Sequence, residues 1–494
     1  MTMGDHRSAS LWLAIGGGLL AGLSPAAAGP VTMLPALALL WRIADRPRLA
    51  AIWGLLAVLL SHRWLLALHP LTWMGVSALL SLPIAILIWL VCGLAAAVLL
   101  AIWSNAARWL VASQPGSREE LSGMSMLILA LIWGLIEVGL AGGPLFWIGV
   151  GGSVLPLDPA LAGLSRWIGS GGLAVLLLAA GWGLDQLFRQ RFALRRTVSW
   201  SVIWLMALLL AHLLGAAALF RPPVSRGDLS LAGWQPAIPT REKFASEQQR
   251  RLPQALQRAL ETARAFDAQA LVAPEGTFPS GWTFASEDQP LPLLTGGFRR
   301  QDGQLRSSLL LISPDADQPE PLLDKHRLVP LGEALPPLPP GLAGGLSAVG
   351  GVMPGPASRL QTGFSDPAAV AICYEISDGR SMAKAIAEGG QWMLSIANLD
   401  PYPDLLQRQF LALAQLRAIE TGRDLFSVAN TGPTAVVHAD GRVDQLLPSG
   451  EEGVAAADIQ TRKALTGYVR WLDLPLRVLF GICLIQGLIS RRSS

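Results

Sequence analysis

An apolar segment of strand type ends abruptly in a thiol, a phenol and a carboxylate in the stretch Ala368-Ala369-Val370-Ala371-Ile372-Cys373-Tyr374-Glu375. Such a strand is buried along its length and brings its last residues to one edge of a sheet, which is where ligands bind in open α/β folds. The other two cysteines, Cys92 and Cys483, lie in long apolar segments. A lone cysteine is more often a small buried hydrophobe than a nucleophile, so both interpretations of Cys373 are open at this point.

The composition indicates a membrane protein that also carries a soluble domain. Of the 494 residues, 52% are hydrophobic and 15% are charged, whereas soluble domains carry about 25% charged residues. The formal net charge of +3 does not suggest a nucleic-acid partner. Three cysteines, one in each region of the chain, do not suggest a disulfide framework.

Long apolar segments fill residues 1–222, which we predict to be a membrane domain with seven spans. A helix needs about 20 apolar residues to span a bilayer. The candidate spans lie near 10–25, 30–42, 48–66, 76–105, 123–141, 168–187 and 198–220, with an eighth near 472–489. We therefore divide the chain into a membrane domain at 1–222, a second domain at 223–470, and a final span with the C-terminal end at 471–494.

Arginines on the short connections indicate how these spans are oriented. They lie on alternate connections, as Arg42, Arg46 and Arg48, then Arg108 and Arg118, then Arg189, Arg191, Arg195 and Arg196, and finally Arg491 and Arg492. By the positive-inside rule that side is cytoplasmic. Eight spans then place both termini in the cytoplasm and residues 223–470 outside it, in a periplasm or its equivalent.

Residues 223–470 alternate between strand-like and helical segments, which predicts an α/β domain. The predicted strands are 229–234, 270–273, 307–312, 367–372, 392–396, 425–429 and 434–437, and the predicted helices are 244–266, 379–389 and 404–421. The stretch 335–356 is rich in Pro and Gly without a period, and is predicted to be a loop.

One carboxylate, Glu137, lies within a predicted span. A carboxylate inside a membrane is costly, so it is a candidate functional group by default. The alternative is that Glu137 lies near the interface, where water solvates it.

Three strand ends or loops of the α/β domain carry reactive groups. Glu275 follows a buried strand and a proline, Lys325 and Glu333 lie eight residues apart in one loop, and Cys373 ends the stretch quoted above. A carboxylate, an ammonium and a thiol together form a nucleophilic site, because the carboxylate takes the thiol proton and the ammonium stabilises the thiolate and an oxyanion. Taken alone, Glu275 could cap a loop, Lys325 could lie on the surface, and Glu333 could pair with Arg327.

The order Glu, Lys, Cys resembles the nitrilase, or carbon–nitrogen hydrolase, superfamily. The likeness lies in Pro274-Glu275, Asp324-Lys325-His326, Leu328-Val329-Pro330-Leu331-Gly332-Glu333 and Ile372-Cys373-Tyr374-Glu375, and further in Trp234-Gln235-Pro236, Asn398, Arg417-Ala418-Ile419-Glu420 and Ala429-Asn430-Thr431-Gly432. With spans on both sides, the whole chain is similar to the apolipoprotein N-acyltransferase family of the bacterial inner membrane. The resemblance implies an α-β-β-α sandwich inserted between the seventh and eighth helices of an eight-helix membrane domain.

The resemblance also implies a role for each residue of the site. Cys373 would attack the sn-1 ester of a phospholipid such as phosphatidylethanolamine and form a thioester, with Glu275 as general base and Lys325 stabilising the oxyanion. Supporting roles would fall to Glu333, Tyr374 and Glu375. The acyl chain would pass to the α-amine of a diacylglyceryl-cysteine apolipoprotein. No cofactor or metal is implied, and we expect a monomer because nothing in the sequence requires an interface.

Three positions depart from the family pattern. Ala273 replaces the tryptophan usual before Pro-Glu, Leu399-Asp400-Pro401-Tyr402-Pro403 replaces the usual Asp-Ala-Trp-Phe-Gly after Asn398, and Phe244 is the aromatic residue nearest to a usual early tryptophan. These departures leave two alternatives open: an acyltransferase with a different acceptor, and a membrane-tethered amidase or hydrolase in which water resolves the acyl-enzyme. A non-catalytic domain that binds a ligand or partner is a third, opposed by the intact set of glutamate, lysine and cysteine.

Overall fold

The structure is a computed structural model that describes residues 3–492 except for 75, 113–120, 190–193, 221–223, 244, 279–280, 283–289, 315, 317, 331 and 335–350. The predicted domain boundary at 222, Phe244 and most of the predicted loop 335–356 therefore lie outside the described residues.

The N-terminal part consists of apolar helices joined by short connections. In chain order they are α1 (Met3–Leu23), α2 (Gly29–Arg42), α3 (Pro47–Ser61), α4 (Ala78–Ala112), α5 (Gly123–Ala141), the short helices α6 (Gly149–Gly152) and α7 (Pro159–Ala162), α8 (Ser165–Arg189) and α9 (Leu194–Leu219). Between α3 and α4 the chain forms two 3₁₀ turns at Arg63–Leu68 and Leu71–Met74. The predicted span 48–66 is thus α-helical only as far as Ser61.

Five of the described helices are long and apolar enough to cross a membrane, judged by length and composition. They are Ala9–Arg42, Ala78–Ala112, Gly123–Ala141, Ser165–Arg189 and Val198–Leu219. The first joins two predicted spans across a break at Ser24–Ala28, where Ala26 has a φ of 54°. Pro47–Ser61 and Leu474–Gly487 are apolar but shorter. The total of eight spans stays a prediction.

The described residues of the α/β domain form two six-stranded sheets. The first has the order β12-β1-β2-β3-β4-β5 and the second the order β11-β10-β9-β8-β7-β6. The strands are β1 (Ser225–Gln235), β2 (Leu271–Ala273), β3 (Leu293–Gln301), β4 (Gln304–Ile312), β5 (Glu320–Asp324), β6 (Leu360–Gln361), β7 (Ala368–Ile372), β8 (Trp392–Ala397), β9 (Leu425–Ala429), β10 (Thr434–Val437), β11 (Val443–Leu447) and β12 (Gly453–Arg462). β1, β2 and β3 run parallel, as do β7, β8 and β9, so the two sheets present equivalent strand ends.

The layers of the domain follow from which side chains share a core. Leu231, Val272, Val370 and Ile396 belong to one buried cluster, so apolar faces of the two sheets pack on each other. Helix α10 (Ser246–Ala265) covers the outer face of the first sheet. Helices α11 (Gly379–Ala387) and α12 (Asp404–Thr421) cover the second, after which α13 (Gly467–Trp471) and α14 (Leu474–Arg492) complete the chain. The α-β-β-α sandwich that the resemblance implies is confirmed.

Helix α12 lies between the second sheet and the apolar helices, and its side chains are buried almost throughout. Arg166 of α8 joins the layers, because its guanidinium donates to the carbonyls of Ile419 (3.3 Å), Ala439 (2.7 Å) and Ala218. The carboxylate of Glu420 accepts from the backbone N–H of Ser170 at 2.8 Å. The α/β domain is therefore packed directly on the helices that precede it.

The prediction of elements in the α/β domain was incomplete. Strands β3, β5, β6 and β12 were not predicted, because β3 contains Gly296-Gly297 and Arg299-Arg300 and the others lack a long apolar run. Helix 404–421 and strands 425–429 and 434–437 have the predicted bounds.

Candidate active site

The thiol of Cys373 lies at the point where β7 ends and a 3₁₀ turn, Cys373–Ser377, begins. Cys373 has a φ of 57°, a left-handed conformation that is unfavourable for a residue with a Cβ. Backbone strain of this kind is concentrated at functional sites. Because β7 is fully buried and Cys373 is only partly so, the strand delivers its thiol to a place where a substrate can reach it.

Glu275 lies just beyond β2, on the first sheet. Gly296 of the neighbouring strand β3 lies against it, and a Cβ added there would come within 2.5 Å of the Glu275 Cα. A residue other than glycine at 296 would displace the loop that carries this carboxylate. One carboxylate oxygen of Glu275 accepts from the backbone N–H of Asn398 at 3.4 Å, which ties it to the end of β8 on the second sheet.

Lys325 joins the carboxylates of Glu275 and Glu333. Its Nζ lies 2.7 Å from an oxygen of each, and the side chain is 1% exposed. The second oxygen of Glu333 accepts from the backbone N–H of Val329 at 2.9 Å. Lys325 is thus not a surface lysine, and Glu333 pairs with Lys325 rather than with Arg327.

The protonation states of the cluster follow from burial and mutual charge. Burial and the neighbouring Glu275 carboxylate, which is also hydrogen bonded to the thiol, raise the pKa of Cys373 well above its usual value. Burial lowers the pKa of Lys325, but Glu275 and Glu333 more than offset this and hold it well above the usual value. The resting site therefore holds a neutral thiol and a permanent ammonium, so the group that can accept the thiol proton is a carboxylate.

Glu375 and Tyr374 hold the loops around the thiol. The buried Glu375 carboxylate accepts from the backbone N–H groups of His326 (2.8 Å), Arg327 (3.0 Å) and Ile372 (3.0 Å), and pairs with Arg359 at 3.0 Å. The Tyr374 hydroxyl donates to the carbonyl of Leu328 at 2.5 Å, and its ring lies under Arg327. These contacts fasten the loop after Lys325 to the strand that carries Cys373.

The same loops contact the ends of the apolar helices. Arg327 donates to the carbonyl of Gly143, and Ser377 Oγ donates to the carbonyl of Ala141 at 3.2 Å, where α5 ends. The ring of Tyr402 packs edge to face on Trp64, which follows α3, at a centroid distance of 5.3 Å. The site thus opens beside the ends of helices that are long and apolar.

Two residues near the cluster were missed as site residues. Lys243 is buried and donates to the backbone carbonyl of Glu275 at 3.2 Å. Tyr402 is the second, and burial, together with the charge of Cys373, raises its pKa. The low lysine content of the sequence, four residues, was a signal for Lys243. Tyr402 was noted only as a departure from the family pattern.

Glu137 is neither a solvated interface residue nor a member of this cluster. It is 3% exposed, and its oxygens accept from Trp133 Nε1 (2.9 Å) and from the backbone N–H groups of Val150 (2.6 Å) and Gly151 (3.2 Å). Over the described part of the chain, no group of three or more His, Cys, Asp or Glu residues has the arrangement of a metal site.

Known proteins that are similar to this chain fall into two groups. No family model matches it. Among solved structures, Saccharomyces cerevisiae Nit3 of the nitrilase superfamily is 14% identical over 48% of this chain and 91% of that one, with a TM-score of 0.35. A CN-hydrolase superfamily protein from Xanthomonas campestris is 16% identical over the same shares, also with a TM-score of 0.35.

Full-length relatives are far more similar. The apolipoprotein N-acyltransferase of Parasynechococcus marenigrum is 62% identical over 468 residues, which cover 95% of this chain and 98% of that protein. The apolipoprotein N-acyltransferase of Prochlorococcus marinus strain MIT 9313 is 55% identical, over 96% of this chain and 95% of that protein. The chain therefore belongs to the apolipoprotein N-acyltransferase family.

Proposed function

We propose that the protein transfers a fatty acyl chain from a phospholipid, through a thioester on Cys373, to the N-terminal amine of a diacylglyceryl-cysteine apolipoprotein. The observation that carries this proposal is the buried Lys325 ammonium, held at 2.7 Å by both Glu275 and Glu333 beside a thiol at a strand end. The family supplies the reaction class, acyl transfer in lipoprotein maturation.

In the first half-reaction the Glu275 carboxylate accepts the Cys373 proton while Sγ attacks the sn-1 ester carbonyl of the phospholipid. Lys325 remains an ammonium and donates to the oxyanion of the tetrahedral intermediate. The carbon–oxygen bond to glycerol then breaks, and the proton held by Glu275 passes to the departing alkoxide. A lysophospholipid leaves, and a thioester remains on Cys373.

In the second half-reaction the α-amine of the apolipoprotein attacks the thioester carbonyl. Glu275 accepts a proton from this amine, Lys325 again donates to the oxyanion, and the carbon–sulfur bond breaks. The proton returns to the sulfur, so that the N-acylated lipoprotein leaves and the thiol is restored. Glu333 keeps the Lys325 ammonium in place through both halves, and Tyr374 and Glu375 hold the loops around the thiol.

Contacts between the site and the helix ends support lipid-borne substrates. The chain is a membrane protein, and five of the helices that the structure describes are long and apolar enough to span a bilayer. Loops next to the thiol and to Lys325 bind the last residue of α5 through Ser377 and the segment after α5 through Arg327. We place the α/β domain, 223–470, on the periplasmic face of the bacterial inner membrane, between a membrane domain at 1–222 and a last span within 471–494, with arginine-rich connections in the cytoplasm.

Mass spectrometry of the purified protein mixed with phosphatidylethanolamine tests the first half-reaction. We expect the protein to gain the mass of one acyl group, to lose it on treatment with hydroxylamine, and to gain nothing when it carries Cys373→Ala. A wild-type protein that stays unmodified with several phospholipids would refute the proposed mechanism.

Adding a diacylglyceryl peptide then separates transfer from hydrolysis. The stretch Leu399-Asp400-Pro401-Tyr402-Pro403 departs from the family pattern, and this is the observation that favours a second candidate, a membrane-tethered hydrolase. We expect the acylated peptide as product. Recovery of free fatty acid alone would instead assign the hydrolase, and acylation of a different amine would assign another acceptor.

A further inference from the structure

A second buried lysine supports the loop that carries the proposed general base. Lys243 lies between β1 and α10 and is 4% exposed, and its Nζ donates to the backbone carbonyl of Glu275 at 3.2 Å. An ammonium has three N–H donors, and this is the one hydrogen bond it makes to any residue that the structure describes. A buried cation with one neutral acceptor does not stabilise a fold by itself, so its place beside Glu275 needs another explanation.

Side-chain amides and a hydroxyl fix the segment that carries Lys243. Asn430 exchanges two hydrogen bonds with the backbone of Ile238, at 2.6 and 3.1 Å. The Thr240 hydroxyl accepts from Asn398 Nδ2 at 2.8 Å, and the Thr240 N–H donates to Asp400 Oδ2 at 2.7 Å. The backbone N–H of Asn398 contacts the Glu275 carboxylate at 3.4 Å. One network therefore holds both Lys243 and the carboxylate.

The charges around the site explain what a second ammonium can do. The buried cluster brings two carboxylates, those of Glu275 and Glu333, to the single ammonium of Lys325. A second ammonium beside this pair of carboxylates is therefore electrostatically favourable. The charged groups that face Lys243 are the carboxylates of Glu275 and Asp400, and they oppose burial, which lowers the pKa of Lys243 to about 8. At pH 7 Lys243 is therefore largely an ammonium.

We propose that Lys243 is a positioning residue for acyl transfer: its ammonium anchors the backbone of Glu275, and its charge favours the ionised carboxylate that receives the Cys373 proton. This inference rests on the proposed function, because it assigns Glu275 the role of base. Lys243 acts through Glu275 and needs no contact with the substrate.

The pH dependence of thioester formation separates this role from a merely structural one. We would measure the single-turnover rate with phosphatidylethanolamine between about pH 5.5 and pH 9 for wild type, Lys243→Met, Lys243→Gln and Lys243→Arg. Lys463→Met is the matched control, since Lys463 is an exposed lysine of the same domain. Thermal unfolding in detergent establishes which variants are folded.

The charge predicts a different result for each variant. At pH 7 Lys243→Met slows thioester formation at least about tenfold, and the acid limb of its profile moves to higher pH by about half a unit or more, because a cation next to the base is lost. Lys243→Gln retains a hydrogen-bond donor without the charge and shows the same movement, whereas Lys243→Arg and Lys463→Met keep the wild-type limb.

The inference fails if the neutral variants fold and keep the wild-type acid limb, whatever their rate, or if Lys243→Arg moves it as far as Lys243→Gln does. Should Lys243→Met not fold, the comparison of Lys243→Gln with Lys243→Arg decides by the same criterion. A wild-type protein that forms no thioester overturns the proposed function and this inference together, whereas a wild-type thioester with unmoved profiles overturns the inference alone.

Discussion

Two buried carboxylates, Glu275 beyond β2 and Glu137 in α5, differ in the groups that hold them. Glu275 contacts the Lys325 ammonium at 2.7 Å and lies beside the Cys373 thiol. Glu137 accepts from an indole and two backbone amides of the described residues, namely Trp133 Nε1 and the N–H groups of Val150 and Gly151.

A buried carboxylate is reactive when a neighbouring group can release a proton to it. The N–H groups around Glu137 do not release protons near neutral pH, and the Glu137 carboxylate therefore has no proton to receive. Its hydrogen bonds join α5 to the start of α6. The thiol beside Glu275 does release a proton during attack on an ester. Burial alone therefore does not identify a functional carboxylate, whereas a titratable nucleophile next to it does.

The largest effect on the rate of thioester formation is expected from replacing the reactive carboxylate, Glu275, with an amide. Glu275→Gln keeps the shape but removes the base, so we expect thioester formation to slow by about 10²- to 10⁴-fold, the range of general-base catalysis. The single-turnover rate with phosphatidylethanolamine measures this, and thermal unfolding verifies the fold. A loss below about tenfold in a folded variant would show that another group takes the thiol proton.

The second largest effect is expected at Lys325, the ammonium that pairs with Glu275 but not with Glu137. Lys325→Met removes the ammonium that is proposed to face the oxyanion, and deleting one such donor typically costs about 10²- to 10³-fold. We expect the acylation rate to fall by that factor. Because the substitution also leaves Glu275 and Glu333 without a cation, binding of a non-hydrolysable phospholipid is measured in parallel. A loss of binding that accounts for the whole fall in rate would contradict the oxyanion role.

The sequence predicted the members of this cluster because each follows a recognisable strand or loop. Glu275 comes after a short apolar strand and a proline, and Cys373 after a longer one, so both lie at strand ends of the two sheets. The order of the three residues then resembled a known superfamily. Their catalytic roles stay predictions. The spacing of residues in the sequence could not show whether Lys325 pairs with both carboxylates or lies on the surface.

The supporting contacts could not be predicted, for physical reasons. Lys243 reaches a backbone carbonyl, which has no side-chain signature in a sequence. Strand β3 contains Gly296, which lowers strand propensity but lets Glu275 approach closely. Two of the partners of Glu137 are backbone amides at the start of a four-residue helix, and a hydropathy pattern carries no information about them.

The free energy of unfolding should fall at alkaline pH because of the Cys373 thiol in the reactive cluster. Because the pKa of Cys373 is raised, the folded thiol keeps its proton above about pH 8.5, where the unfolded thiol loses it. The contribution of the thiol to the free energy of unfolding is fully present below that pH. It is lost as the pH rises toward the pKa of the thiol in the folded protein, at no more than about 1.4 kcal/mol per pH unit. Lys325, whose pKa is also raised, contributes in the same direction only above about pH 10.4.

The fall in Tm between about pH 8 and pH 10 should therefore be larger for the wild type than for Cys373→Ala, because that window lies above the usual pKa of a thiol and below that of a lysine. All other titrating groups are shared by the two proteins, so they cancel in the difference. Equal falls would mean that the thiol titrates in the folded protein as it does in the unfolded chain.

The smallest effect on the reaction is expected from Glu137→Gln, the matched control for Glu275→Gln. The amide presents an NH₂ group toward donors that the carboxylate accepts from, so we expect a loss of stability of about 1 to 3 kcal/mol, seen as a lower Tm. Because Glu137 is absent from the cluster around Cys373, the thioester rate of the folded fraction should stay within about threefold of wild type, a change worth less than about 0.7 kcal/mol of barrier. A fall in this rate comparable to that of Glu275→Gln, at unchanged Tm, would mean that α5 takes part in the reaction and that Glu137 is also a reactive carboxylate.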